Sequence, residues 1–468
     1  MEKIILPQDF VEIIHSILPG DHVHDFISAL SELPKTCVRL NPHKGKSISE
    51  SLIEKQSSHS KDVYLLTDRP SFIGDPGWHS GSYYVQELNS TRVGEVVRLL
   101  LGNIDPGCIV LDLCGAPGGK STHISSVLRK EDLLIANEVI QTRNPILVEN
   151  LSKWGLGNFV VTRADASDFH RVRNTFSIIA ADMPCSGEGM FRKDPKAIGE
   201  WSLQHVKLCA ARQQRIAQDI WPSLKPGGYF IYSTCTYNDI ENEKNVSQLC
   251  EELGGELISL PQILTDGSVC LQENMYRFYP HLTDGEGFFI AVIQKTGDLS
   301  SDEATIEDSR KKKKKKEGKT LTVELPEILG NEWIGTEYRE GEIYILRRGK
   351  WLENHPDLLS LLPKSTSVGI PIGLYNKNLW KPSAAFDLLS NKPQAYVDLS
   401  VSIEDAIRYF QREFLPLKPN HKGIVGLRWN GLSLGTGNAV NNGINNLWPN
   451  AWRILQKTIE AKTILRED

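Results

Sequence analysis

Two cysteines follow predicted strands in polar turns where a thiol could do covalent chemistry. Cys185 ends the segment DMPC (182–185), and Cys235 ends STC (233–235). Addition of a thiolate to carbon 6 of cytosine breaks the aromaticity of the ring and makes carbon 5 reactive toward a methyl donor. The second thiol, or a water that it orients, could then remove the carbon 5 proton. Asp182 is available to hydrogen-bond ring nitrogen 3 and the exocyclic amine.

The residues alone leave open which cysteine attacks. DNA cytosine-5 methyltransferases use the thiol of a Pro-Cys turn after the fourth strand, which favours Cys185. The remaining cysteines form no C-x-x-C pair, so the spacing predicts reduced thiols, no disulfide framework and no metal site. Five of them are predicted to be small buried apolar side chains, namely Cys37, Cys108, Cys209, Cys250 and Cys270.

A glycine-rich turn in VLDLCGAPGGKST (110–122) joins an apolar strand to a helix. Such a turn lets backbone amides approach a ligand at the positive end of the helix. A phosphate-binding loop, G-x-x-x-x-G-K-[ST], requires glycine at position 114, which is Cys114. The dinucleotide pattern G-x-G-x-x-G also fails, because Pro117 stands at its third place. S-adenosylmethionine (SAM) is the better candidate.

Acidic residues near the ends of four successive predicted strands favour SAM. They are Asp112, Glu138, Asp165 and Asp182. Ligands of open α/β sheets bind outside the carboxyl ends of the strands. Glu138 lies 19 residues after Gly119, where an acidic residue can accept the ribose hydroxyl hydrogens. Asp165 is placed to meet the adenine amino group.

The elements that position these residues alternate between strands and helices. Between residues 102 and 295, apolar strand-like runs occupy 108–114, 133–138, 158–165, 176–184, 227–235 and 287–295. This alternation predicts βαβ units and an α/β, doubly wound parallel sheet, in which the fourth and fifth strands are neighbours. A helix is predicted over 198–224, ended by the Pro-Gly-Gly at 226–228.

The length of 468 residues (52.5 kDa) predicts roughly three folding units. We expect an amino-terminal domain over 1–100, a catalytic domain over 101–298, a charged linker over 299–320 and a β-containing region over 321–468. The linker carries six consecutive lysines at 311–316. They are either a solvated spacer or a tether for a phosphate backbone.

Composition excludes several classes of protein. Hydrophobic residues at 40% and charged residues at 24% are typical of globular proteins, and no repeat of fixed period is visible. No apolar stretch approaches the roughly 20 residues that span a bilayer, so we expect a cytoplasmic protein with no membrane partner. The net charge of −5 does not predict nucleic-acid binding. We expect a monomer.

Three segments resemble the motifs of Sun-family RNA cytosine-5 methyltransferases: DLCGAPGGK (112–120), ADMPCSGEG (181–189) and STCTYNDIENE (233–243). The segments VRLN (38–41) and YYVQELNS (83–90) resemble the RNA-contacting region of that family. The resemblance covers residues 1 to 295. It implies that Cys235 is the nucleophile, that Cys185 assists product release and that Asp182 recognises and protonates cytosine. It also implies that SAM is bound by Cys114, Gly115, Ala116, Pro117, Gly118, Gly119, Lys120, Glu138, Asp165 and Asp182.

The carboxyl-terminal region resembles the PUA-type RNA-binding module of bacterial ribosomal RNA small-subunit methyltransferases, over GIPIGLY (369–375), WKP (380–382) and 426–454. The chain is therefore predicted to methylate carbon 5 of a cytosine in structured RNA. Small-subunit (16S) ribosomal RNA, free or within the small subunit, is preferred over transfer RNA. The alternatives are a non-catalytic RNA-binding assembly factor with a SAM fold and a P-loop-like NTPase.

Overall fold

The computed structural model describes residues 5–297, 331–337, 341–376, 379–391 and 396–467. The predicted linker 299–320, with its lysine run, lies outside the described residues. In the ranges that the structure describes, no helix combines the length and apolar character needed to cross a membrane.

The amino-terminal unit pairs three helices with a small antiparallel sheet. Its helices are α1 Gln8–Ile17, α2 Gly20–Ala29 and α3 Pro76–His79, and its strands are β1 Thr36–Leu40, β2 Ile53–Gln56, β3 Val63–Leu66 and β4 Tyr83–Val85. The sheet order is β2-β3-β1-β4. Apolar residues at helical spacing form the buried face of α1, where Phe10, Ile14 and Ile17 pack inward.

A large twisted sheet follows, wound by helices on both faces. Its strands include β5 Ile109–Asp112, β6 Leu133–Asn137, β7 Phe159–Thr162, β8 Phe176–Asp182, β9 Leu224–Thr234, β10 Gly255–Leu257, β11 Ser268–Val269, β12 Met275–Phe278 and β13 Phe288–Lys295. The helices are α4 Arg92–Leu101, α5 Gly119–Val127, α6 Asn144–Trp154, α7 Pro195–Glu200, α8 Leu203–Ile220, α9 Glu243–Leu253 and α10 Gln262–Thr265. All six predicted strand runs are present, and the doubly wound α/β fold is confirmed. The sheet is not wholly parallel as predicted, because β13 runs antiparallel to β9.

The helix predicted over 198–224 is divided into two. Ser202 separates α7 from α8, because its side chain accepts a hydrogen bond from the backbone N–H of His205 and caps the second helix. Helix α8 ends at Ile220, and Pro226-Gly227-Gly228 lie inside β9 instead of stopping the helix. That part of the prediction was wrong, because the cap and the strand pairing of β9 outweigh helical periodicity.

The region after the linker is rich in short strands. Its elements are β14 Trp333–Glu337, β15 Glu342–Arg347, α11 Trp351–Asn354, α12 Leu358–Leu361, β16 Ser365–Val368, β17 Ile370–Asn376, β18 Leu379–Pro382, α13 Ala384–Asp387, β19 Val397–Ser400, α14 Ile403–Phe410, β20 Gly423–Trp429, β21 Leu432–Val440 and β22 Gly443–Asn446. Two four-stranded sheets form here, ordered β14-β15-β17-β18 and β19-β20-β21-β22.

Strand β16 leaves this region and joins the central sheet. The order of that sheet is β11-β12-β13-β9-β8-β5-β6-β7-β16, with β10 also paired to β13. Strand β16 runs antiparallel to β7, with Val368 opposite Val160. Residues 365–376 therefore form two strands on two sheets, and Gly369 (φ +77°) makes the turn between them.

The chain end returns to the amino-terminal unit. The backbone N–H of Ile464 donates to the Asp75 carboxylate at 2.8 Å, and His79 stacks on Phe410 of α14 with ring centroids 4.7 Å apart. The first and last parts of the chain therefore pack together.

Candidate active site

The two cysteines of interest meet at the carboxyl edge of the central sheet. Strands β8 and β9 are parallel neighbours with Asp182 opposite Ser233, so the turns that follow them adjoin. The sulfur atoms of Cys185 and Cys235 lie 3.3 Å apart, and both side chains are half-buried. The predicted adjacency of the fourth and fifth strands thus brings both thiols to one place.

The two thiols share a hydrogen bond, so their ionisations are linked. The hydrogen bond with Cys235, and then burial, raise the pKa of Cys185 well above its ordinary value. Two thiolates this close repel each other, so the pair holds one negative charge at a time. Cys185 is therefore a thiol that is hard to ionise while Cys235 is its hydrogen-bond partner.

A buried carboxylate, Glu188, ties the two cysteine turns together. It accepts hydrogen bonds from the backbone N–H groups of Tyr237 (2.6 Å) and Asn238 (2.9 Å), from the Asn238 side chain (2.8 Å) and from the Trp201 indole (2.9 Å). Glu188 is fully buried. Because every bond spans the two turns or the helix beneath them, Glu188 holds the turns in register.

A second buried carboxylate, Glu241, holds the residue that follows Cys185. It accepts from the backbone N–H of Ser186 (3.0 Å), from Gln213 (2.8 Å) and from Asn238 (2.8 Å). Burial raises the pKa of Glu241 to about 7. Neither Glu188 nor Glu241 was predicted as a site residue. Their only signal in the sequence is a carboxylate inside each cysteine motif.

The glycine loop is braced from below by Asp112 and opens onto a cleft. Ser121 donates to Asp112 at 2.5 Å, and burial raises the pKa of Asp112 to about 6. A cleft of about 190 Å³ lies above the loop. It is lined by the loop residues Cys114, Gly115, Ala116, Pro117, Gly119 and Lys120, by Asp182, and by Tyr84, Val85, Gln86, Glu87 and Ser90.

Lys120 and Asp182 form an ion pair in this cleft. The ammonium group lies 2.9 Å from one carboxylate oxygen, and the other accepts from Ser233 at 3.0 Å. Burial acts to lower the pKa of Lys120, but the charge and hydrogen bond of Asp182, together with Cys235, raise it overall. A cation is therefore maintained beside both Asp182 and the Cys235 thiol.

Three of the predicted cofactor ligands, Gly118, Glu138 and Asp165, do not line this cleft. Glu138 is buried, accepts from the backbone N–H of Ile140 at 2.8 Å and lies 3.5 Å from Arg143. Asp165 caps a short 3-10 helix and pairs with Arg215 at 2.9 Å. The hydrogen bond from Arg215 lowers the pKa of Asp165 to about 2. The roles of Glu138 and Asp165 toward ribose and adenine stay predictions.

The amino-terminal segments that resemble RNA-contacting motifs serve another purpose at two positions. Arg39 is buried and donates to Gln86 (2.9 Å), to the Gly119 carbonyl (3.1 Å) and to Thr122 (2.7 Å). Asn41 is buried and donates to the Trp154 carbonyl. The expectation of RNA contact is wrong for these two side chains, because both are used to fasten the amino-terminal sheet to the glycine loop and α6.

The remaining cysteines divide into two groups. Cys37, Cys108 and Cys209 are buried, as predicted. Cys250 is only half-buried and Cys270 is exposed, so burial was predicted wrongly for both. Cys270 follows the two-residue strand β11, where its thiol donates to the Gln272 carbonyl at 2.9 Å.

The loop side of the cleft fits SAM. Gly118 adopts φ +125°, and a Cβ atom at Gly119 would come within 3.3 Å of the Tyr84 ring. A side chain at Gly119 would enter the cleft, so glycine there leaves the backbone open to a ligand, whereas a Cβ at Gly118 would meet Asn150 of α6 at 3.0 Å. The residues that would hold the cofactor here are the loop 114–120 and Asp182.

A doubly wound sheet with a glycine loop, acidic strand ends and an open cleft defines a Rossmann-like, SAM-dependent methyltransferase. Solved structures support this class. A methyltransferase homologue from Pyrococcus horikoshii is 25% identical, with a TM-score of 0.51 over 62% of this chain and 100% of its own. The structure of NSun6 from P. horikoshii with SFG is 20% identical, with a TM-score of 0.51 over 62% and 99%. This second likeness concerns the fold alone.

The chain belongs to the 16S rRNA methyltransferase RsmB/F family. The model of that family matches residues 100–294, that of the N-terminal domain of 16S rRNA methyltransferase RsmF matches 6–88, and that of the methyltransferase RsmF PUA domain matches 396–454. Relatives called ribosomal RNA small subunit methyltransferase F support this. The Photobacterium profundum protein is 29% identical over 96% of this chain and 97% of its own. The Aliivibrio fischeri protein is 30% identical over 64% and 67%.

Proposed function

We propose that this protein methylates carbon 5 of a cytosine in small-subunit ribosomal RNA through a covalent bond between Cys235 and carbon 6. The observation that carries the proposal is the 3.3 Å separation of two thiols beside the SAM cleft. Methyl transfer to oxygen or to an exocyclic nitrogen has no use for paired thiols. Transfer to carbon 5 needs a nucleophile and a means of releasing it.

Each residue has a distinct task in this reaction. Cys235 adds to carbon 6 as a thiolate, beside the Lys120 cation, while Asp182 hydrogen-bonds the cytosine ring. SAM supplies the methyl group that carbon 5 accepts. Once the Cys235 sulfur is bonded to carbon 6, it no longer competes with Cys185 for negative charge, so Cys185 can release its own proton to solvent. The Cys185 thiolate, or a water that it orients, then takes the carbon 5 proton, and the electrons of that bond restore the double bond as the Cys235 thiolate leaves. The target base must be unstacked to reach the site.

The substrate class follows from the relatives. Those aligned over almost the whole chain carry a name that specifies small-subunit ribosomal RNA, and the PUA-domain match at 396–454 supports RNA as the partner. Free RNA and the assembled small subunit are both open as substrates. Bisulfite sequencing of RNA from cells with and without the gene identifies the modified nucleotide.

The covalent step is tested with RNA containing 5-fluorocytidine. Fluorine at carbon 5 cannot leave as a proton, so the wild type with SAM should give an adduct that survives denaturation. The adduct should be absent for Cys235→Ala and present for the control Cys270→Ala, which removes an exposed thiol far along the chain from the site. An unchanged adduct yield in Cys235→Ala would exclude Cys235 as the nucleophile.

The release step is tested on ordinary RNA. Cys185→Ala should accumulate a covalent protein–RNA complex, because attack proceeds and proton removal does not. Normal turnover without a complex would exclude a release role for Cys185. If no labelled methyl group is transferred from SAM to any RNA tested, the protein is instead a non-catalytic RNA-binding protein.

A further inference from the structure

A second cavity lies on the opposite side of the segment that borders the SAM cleft. The two cavities share Val85, Gln86 and Glu87 as a common wall. The second cavity has a volume of about 190 Å³, which exceeds more than tenfold the roughly 15 Å³ that admits one water molecule. We call it the flanking pocket, and its other polar lining residues are Lys35, Arg69, Lys193, Asp284 and Glu286.

The flanking pocket adjoins the turn of Cys235. Phe289 of β13 pairs with Thr234 of β9, so the residues just before β13 lie beside the residues just after β9. At Gly189, a Cβ atom would lie 2.6 Å from the Cys235 carbonyl oxygen and 3.0 Å from that of Gly287. Gly287, the residue after Glu286, therefore lies against Gly189 together with the Cys235 backbone.

Glu286 contributes an acceptor to the pocket that no described group satisfies. The residue is 5% exposed, and its Oε2 atom has no hydrogen-bond partner in the described structure. Its Oε1 atom lies 3.7 Å from Lys193 and 3.9 Å from Arg192, beyond hydrogen-bonding distance. A buried carboxylate oxygen only accepts, so an unpaired one favours a ligand that donates.

The backbone around Glu286 is held rigidly. Its N–H donates to Glu87 at 2.8 Å, and its carbonyl accepts from Asn89 at 2.8 Å. Glu87 also accepts from the backbone N–H groups of Asn89 and Ser90. This bracing fixes the Glu286 backbone before any ligand binds, which is what a recognition site requires.

The basic residues of the flanking pocket differ in their availability. Lys35 is paired with Asp284 at 3.0 Å and with Glu54 at 2.5 Å. Arg69 is exposed and contacts the Phe72 ring, and no ion pair involves it in the described ranges. Lys193 is ion-paired with Glu286 at 3.7 Å. Arg69 thus presents positive charge at the pocket, as expected for contact with a phosphate.

We infer that the flanking pocket binds the nucleobase next to the target cytosine and selects one with an exocyclic amino group, which donates to Glu286. Adenine, guanine and cytosine carry such a group, whereas uracil has only carbonyl oxygens as exocyclic groups. Splayed single-stranded bases are read along this edge, and enzymes that unstack a base contact its neighbours. The inference rests on the proposed function, because it takes the target cytosine to lie beside Cys235.

The test uses labelled pentaribonucleotides and the full chain, with fluorescence anisotropy at one fixed salt concentration. Two probes, UUCAU and UACUU, place adenosine on either side of cytidine, and two matched probes replace adenosine by purine riboside, which lacks only the amino group. One adenosine probe should bind about tenfold more tightly than its purine counterpart, as expected for a hydrogen bond to a charged acceptor. The inference would be overturned if the adenosine and purine riboside probes bound with equal affinity at both positions beside cytidine, or if no probe bound.

The variant Glu286→Gln should reduce the difference in affinity between the adenosine and purine riboside probes, because it removes the charge of the side chain while keeping its shape. The matched control is Glu256→Gln, an exposed residue on β10 beside the opposite end of β13. A tenfold difference that persists in Glu286→Gln would also overturn the inference. Methyl transfer to small-subunit RNA is measured in parallel. Its absence refutes the proposed function, whereas the anisotropy result judges the flanking pocket by itself.

Discussion

Selective alkylation of the two neighbouring thiols is the most direct measure of their coupling. At 3.3 Å, two full negative charges in an environment of effective dielectric constant ~20 repel by about 5 kcal/mol. That energy disfavours the doubly ionised pair by roughly 10³–10⁴-fold. Since the pKa of Cys185 is raised well above its ordinary value, we expect iodoacetamide at mildly alkaline pH to modify Cys235 first and to leave Cys185 unmodified.

The assay is peptide mass spectrometry over a time course, with exposed Cys270 as the internal reference. In Cys235→Ala the hydrogen bond and the competing charge are both gone, so Cys185 should be alkylated faster than in the wild type. Burial still raises the pKa of Cys185 in that variant, so its rate should stay below that of Cys270. Equal rates for Cys185 and Cys235 in the wild type, or an unchanged Cys185 rate in the variant, would refute the coupling.

Three further predictions concern the free energy of unfolding and the affinity for SAM. In Glu188→Gln, a side-chain amide group faces the backbone N–H donors that the carboxylate now accepts from. Each donor that loses its acceptor should lower the free energy of unfolding by about 1–3 kcal/mol, measured by urea unfolding. Arg39→Ala should lower SAM affinity in calorimetry with little change in circular dichroism, because it frees the Gly119 carbonyl of the glycine loop; unchanged affinity would contradict this role. Burial lowers the pKa of His79 to about 3, so only the unfolded chain gains a proton there as pH falls below about 6.5. The unfolding free energy should therefore fall toward acid pH by up to about 1.4 kcal/mol per unit from this residue, a slope that His79→Gln should reduce.

The central sheet could be predicted because its signals are local. Continuous apolar runs mark buried parallel strands, and the order of βαβ units places β8 beside β9. Once these two strands are neighbours, the positions of Cys185 and Cys235 at their carboxyl ends follow. The glycine loop could also be predicted from the sequence, because its residues are contiguous.

Features that depend on contacts between distant segments could not be predicted. Arg39 resembles a nucleic-acid contact in the sequence, and only the packing of β1 against α5 and α6 shows that it is buried. Glu188 and Glu241 look like exposed turn residues until the two cysteine turns are brought together. The place of β16 on the central sheet is also non-local, because its partner β7 lies about 200 residues earlier.

The attachment of β16 limits how the protein can be divided. A fragment ending before the linker would leave the backbone of Phe159–Thr162 as an open sheet edge beside a hydrophobic core. Unprotected edges of this kind recruit strands from other chains, so such a fragment should self-associate. The same strand anchors the carboxyl-terminal region on the central sheet, so the distance between that region and the glycine-loop cleft becomes a property of the fold.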